Sequence, residues 1–145
     1  MVDIPRYKIA LVREGSHLTA NQTISSPHDV YVLLRDDLGS TDREIFLTLL
    51  LDTRQRVIGI HQVSIGSLNA SIVHPRETFK AAILRNAASI ILAHAHPSGD
   101  PEPSAEDLAI TKRLKEAGDL LGVPVLDHLV VCENAFVSLK ERGLL

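Results

Sequence analysis

The run Ser89–Ala93 (SIILA) constrains the fold more than any other stretch of this chain. It is continuous, apolar and short, which marks a strand covered on both faces rather than a half-exposed one. Such a strand requires a sheet with packed layers above and below it. The flanking segments supply those layers. His74-Pro75-Arg76-Glu77 opens a helix with proline at its start, and Phe79, Ala82, Ile83 and Ala87 form its expected buried stripe. After a loop, Pro97–Pro103, a second helix runs from Ser104 to about Leu121, with Ile110, Leu114, Ala117 and Leu121 at helical spacing. Gly122 and Pro124 terminate it.

Other segments complete the pattern. Ser26 and Pro27 provide a cap and a first-turn proline, with Asp29 at the capping-box position, for a helix ending near Leu38–Gly39. Ile45–Leu51 and Val57–Ile60 are apolar runs split by Asp-Thr-Arg-Gln-Arg, a β-hairpin pattern. Ser67–Val73 alternates and predicts a third strand. Val125–Cys132 predicts a further strand and Ala135–Leu139 a short return strand. Residues 1–23 read as a lead-in with one strand, Tyr7–Arg13, and residues 24–145 as the main domain. The order β-α-β-β-β-α-β-α-β-β predicts an α/β fold, a mixed sheet flanked by helices.

Composition narrows the function. The 145 residues fit one domain, and a chain of this size buries roughly 68–70% of its unfolded surface without staples. Aromatic residues are 3% with no Trp, so Leu, Ile, Val and Ala must build the core, and base-stacking platforms are not expected. The formal charge of −3 argues against a broad basic surface for nucleic acid and leaves local binding open. The single cysteine, Cys132, excludes an internal disulfide and a Cys-rich metal cluster, and it reads as a buried inert thiol in a reducing cytosol. No apolar run is long enough to span a membrane, and the N-terminus does not read as a signal peptide. A cytoplasmic location is expected.

The chemistry concentrates in AHAHPSGDPEPSAED, residues 93–107. Strand residues i and i+2 share a face, so His94 and His96 can point the same way, with Ala95 opposite. Two imidazoles at a strand end are half of a divalent-metal site, and zinc enzymes typically add a third protein ligand and keep one position for water. The loop can bring the first turn of the next helix back towards the histidines, and Asp107 lies in that turn. The same residue also completes an ordinary capping box, Ser104-x-x-Asp107, and a carboxylate there suits the helix dipole. Both readings stand on spacing alone. Other His-x-His chemistries fit poorly. A barrel amidohydrolase needs about 250 residues, a zinc deaminase needs Pro-Cys-x-x-Cys, and a His-Glu-x-x-His helix is absent.

His94-x-His96, seven residues, then Ser104-x-x-Asp107 resembles the signature of the JAB/MPN (JAMM) metalloproteases. More closely, residues 24–142, with the HPSGDPEPS loop and the VLDH stretch, resemble the RadC family. The resemblance implies a JAB/MPN, cytidine-deaminase-like architecture and one Zn2+ held by His94, His96 and Asp107. It further implies a zinc-dependent peptidase or isopeptidase acting on a protein or peptide substrate, with a historical link to DNA repair. Glu44 opens EIFLTLLLD, which resembles the family's glutamate-bearing strand, and is expected to shuttle the proton. Glu77 is the alternative, and Ser104 is expected to assist the oxyanion. Typical members carry Asn where this chain has Ala95. Full-length members also carry an N-terminal region like a helix-hairpin-helix module, and this chain is expected to be the short stand-alone form. The alternative function is a non-catalytic interaction module in a DNA-associated complex. An open sheet edge could pair two copies in a homodimer.

Overall fold

Ser89–Ala95 forms the central strand of the computed structural model, and all of its residues are buried. The structure describes residues 1–66 and 73–145. The elements are α1 (Pro27–Leu38), β1 (Ile45–Leu51), β2 (Val57–Ile65), α2 (Pro75–Leu84), β3 (Ser89–Ala95), α3 (Ala105–Leu121), β4 (Val125–Val131) and β5 (Phe136–Ser138). The sheet order is β2-β1-β3-β4-β5. β1 is antiparallel to β2 and β3, β3 is parallel to β4, and β4 is antiparallel to β5. A parallel pair needs a crossover, and α3 supplies it. The expected α/β fold with a mixed, helix-flanked sheet is therefore observed.

Strand alternation divides the core in two. Ile91, Ala93 and Ala95 pack with Val30, Leu33, Leu34 and Leu38 of α1. Ile90 and Leu92 pack with Phe79 and Ala82 of α2 and with Ile110 and Leu114 of α3. His94 falls in the second register, so its ring points towards the α2/α3 layer while Ala95 joins the α1 layer. β3 runs two residues beyond the SIILA run because both of these residues stay inside the sheet. Phe46 of β1 pairs with His94, and Val130 of β4 flanks it on the other side.

Local chemistry explains the element ends. Asp29 Oδ2 accepts the N–H groups of Ser25 and Ser26 at 2.8 and 3.1 Å and fixes the start of α1. α1 ends at Gly39 as expected, but Gly39 is right-handed, with φ −69°. Its lack of a side chain matters for packing, since a Cβ there would lie 2.5 Å from Arg35 O and 3.1 Å from Glu133 Cα. Asp52 turns the β1–β2 hairpin by accepting from the Arg54 and Arg56 N–H groups and from Arg56 Nε. Gly122 closes α3 in the left-handed conformation, φ +73°.

Four expectations need correction or fall away. Tyr7–Arg13 is not a strand. It has no regular secondary structure, and Tyr7 and Val12 are 87% and 88% exposed. Apolar alternation makes a strand only where a neighbouring ladder accepts its hydrogen bonds, and no strand lies beside it among the described residues. Ile83 is exposed rather than part of the α2 stripe, because the buried arc of that helix centres between Thr78 and Ala82. Leu121, in the last turn of α3, is likewise exposed. The strand expected at Ser67–Val73 lies, apart from Val73, outside the described residues.

Candidate metal centre

β3 and α3 bring three side chains together. His94 leaves the penultimate position of β3, and His96 follows one residue past its end. The chain then turns through Gly99, φ +86°, a left-handed conformation suited to glycine. Asp100 N–H donates to Ser98 Oγ and Glu102 N–H to Asp100 Oδ1, so these are turn residues, as their types suggest. Ser104 caps α3. Its Oγ accepts Asp107 N–H at 3.1 Å, and its own N–H donates to Asp107 Oδ2 at 2.8 Å. This reciprocal pair fixes the Asp107 carboxylate at the mouth of the helix, facing the imidazoles.

The resulting triangle is tight. His94 Nε2 and His96 Nε2 are 2.9 Å apart. Asp107 Oδ1 lies 3.3 Å from His94 Nε2, and Oδ2 lies 3.1 Å from His96 Nε2. A cation bound tetrahedrally at about 2.0–2.2 Å needs ligand atoms roughly 3.3–3.6 Å apart, so small side-chain movements would seat one. These three residues form a group able to hold a metal ion among the described residues. Two imidazole nitrogens and a carboxylate oxygen suit a first-row divalent cation.

The electrostatics agree. Burial alone would raise the Asp107 carboxyl, but hydrogen bonds from His94 and His96 outweigh it and hold the group well below the usual carboxylate range. The hydrogen bond it donates to Asp107 raises His96 above the ordinary imidazole value, against a smaller desolvation effect. A 6%-exposed carboxylate needs a positive partner, and a cation between the two imidazoles would supply one.

Behind the triangle lies a second set of contacts. His96 Nδ1 meets the Asp100 carbonyl at 3.0 Å, and His94 Nδ1 meets His128 Nε2 at 2.7 Å. His128 is fully buried, and desolvation, with a lesser push from His94, holds it well below the ordinary imidazole value. It is a buried, hydrogen-bonded histidine, as its apolar flanks suggest. Phe46 stacks on His94, with ring centroids 6.1 Å apart. Cys132 is buried with its thiol raised by desolvation, an inert group 3.5 Å from the His96 carbonyl. Sequence reasoning did not find the roles of the Asp100 carbonyl and of Thr111. The available signal for Thr111 was its position one helical turn after Asp107 on the buried face of α3.

An open cleft of about 490 Å³ lies against the triangle, lined by Glu44, His96, Pro97, Ser98, Ser104, Glu106 and Asp107. Glu44 is near enough for its charge to raise His96. Glu77 is elsewhere, in the first turn of α2, bonded to Lys80 Nζ at 2.9 and 3.0 Å and 3.8 Å from Arg76 Nε. A model of the RadC-like JAB domain matches residues 24–144. This chain belongs to that family. Among its RadC-family relatives, a "UPF0758 protein" of Desulforamulus reducens is 56% identical over 122 residues, covering 84% of this chain and 54% of its own. One from Moorella thermoacetica is 54% identical over 138 residues, 94% of this chain and 60% of its own. One from Methanosarcina mazei is 52% identical over 120 residues, 83% and 52% respectively. The chain spans little more than half the length of these curated relatives. Within this RadC-like domain, Ala95 costs the triangle nothing, because its side chain lies in the α1 core on the opposite face of β3.

Proposed function

We propose that this chain is a zinc-dependent hydrolase of peptide or isopeptide amides. The observation that carries the reading is the convergence of His94, His96 and Asp107 at the edge of a cleft that also contains a glutamate and a serine. His94, His96 and Asp107 would hold the ion. When bound, zinc supplies a Lewis acid and brings the pKa of a coordinated water down towards ~7.

The chain's own groups do the rest. Glu44 accepts the proton of the attacking water and passes it to the leaving amine, the two transfers amide hydrolysis requires. Its place in the cleft beside His96 supports it over Glu77, whose carboxyl is held below its usual value by the hydrogen bond from Lys80. Ser104 Oγ accepts the Asp107 N–H with a lone pair and so keeps its own proton to donate to a developing oxyanion. The link to DNA repair rests on the family resemblance, and a formal charge of −3 adds nothing to it.

Two measurements test the reading. Purified protein should carry stoichiometric zinc by elemental analysis, lost in His94→Ala. A library of peptides and isopeptide-linked conjugates should be cleaved by wild type but not by Glu44→Gln, which should keep its zinc. Zinc without turnover on any amide would instead support a non-catalytic interaction module.

A further inference from the structure

Buried hydrogen bonds behind the metal triangle form a chain with one consistent direction. Thr111 Oγ1 lies 2.7 Å from the Asp107 carbonyl, one turn back along α3. A carbonyl can only accept, so the hydroxyl proton is committed to it. The other neighbour of Thr111 Oγ1 is His128 Nδ1. With its proton already placed, the oxygen can only accept there, so His128 carries its proton on Nδ1. His128 Nε2 is then a bare acceptor, 2.7 Å from His94 Nδ1. His94 must therefore carry a proton on Nδ1, which leaves Nε2 as the nitrogen turned to the triangle.

We propose that Thr111 and His128 are positioning residues that lock His94 in its metal-ready tautomer. The inference rests on the metal reading of the triangle and goes beyond it, since neither residue touches the cation position. Alternative proton placements leave a contact unfilled. If the Thr111 hydroxyl turned to His128, its oxygen and the Asp107 carbonyl would face each other with no proton between them. His94 would also point an N–H at the ligand position. Both rings of the pair are at most 1% exposed, so water cannot readily repair such a mismatch. His96 is oriented separately, by the Asp100 carbonyl, which can only accept from Nδ1. Both imidazoles thus hold a proton on Nδ1 through unrelated partners, one buried and one in the loop.

The contacts also tie the ligands together. Asp107 offers its carboxylate to the ion and its carbonyl to Thr111, so the chain that orients His94 starts on another ligand. Loss of an outer partner typically weakens metal binding by roughly 10–100-fold. Thr111→Val keeps the shape of the side chain and removes the hydroxyl.

The test reads tautomer and affinity, not turnover. Nitrogen-15 NMR of metal-free wild type should show His94 protonated on Nδ1. Zinc titration against a competing chelator should give Thr111→Val a dissociation constant raised about tenfold or more, with Thr111→Ser restored to near wild type. A wild-type His94 with no proton on Nδ1 overturns the inference, and this measurement needs no variant to fold. So does a folded Thr111→Val that binds zinc within about twofold of wild type. Wild type that binds no zinc at all overturns the metal reading and this inference with it. Zinc bound equally by wild type and Thr111→Val overturns this inference alone.

Discussion

Asp107 Oδ2 accepts the Ser104 N–H at 2.8 Å and also lies 3.1 Å from His96 Nε2, so the first turn of α3 and the metal centre share an atom. The sequence left cap and ligand as rival readings because Ser-x-x-Asp spacing serves both. In the folded chain one carboxylate meets both geometric demands. Asp107→Asn keeps a carbonyl that can accept from Ser104 and removes the charge. Its zinc affinity should fall by more than the roughly 10–100-fold cost of an outer-shell loss. Ser104→Ala removes the Oγ cap and should lower urea stability by about 1 kcal/mol. At this scale the residue types at the centre were legible and their partners were not. His128 reads as a buried histidine from its apolar neighbours, but its pairing with His94 depends on the β3–β4 register, which spans 34 residues of sequence.

α2 and α3 cross where Gly118 leaves room for Phe79, and a Cβ at Gly118 would lie 2.6 Å from Val123 O and 3.1 Å from the Phe79 ring. Gly118→Ala should therefore overpack this contact and cost about 1–3 kcal/mol, measurable by urea denaturation. The elements most legible in the sequence were those with local punctuation. α3 has a capping box at one end and a left-handed glycine at the other, and the β1–β2 hairpin has Asp52 gathering its turn. Those that needed tertiary information were misread. Tyr7–Arg13 has strand-like alternation and no ladder beside it among the described residues. Ile83 has the right spacing for a helical stripe, but the stripe's angular position is set by what α2 packs against.

For the whole molecule, a cation that binds only the folded triangle must stabilise the fold. Zinc at 100 times its dissociation constant should raise the unfolding free energy by about 2.7 kcal/mol. Thermal melts of wild type should shift upward with zinc, and those of His94→Ala should not. Among the described residues no helix is long and apolar enough to cross a membrane. The two helical layers leave β2 and β5 as the outer strands of the sheet, while the triangle is built from β3 at its centre and the helix that follows it.

All three metal-ligating candidates lie within residues 94–107, on either side of the Pro97–Pro103 turn. A bound ion would therefore act as a clasp across a short loop, much as a covalent crosslink would. Digestion should be slower at this loop in the zinc-loaded protein than in the chelated one. A single cut there would separate the imidazole pair from the carboxylate while the surrounding layers still hold both fragments.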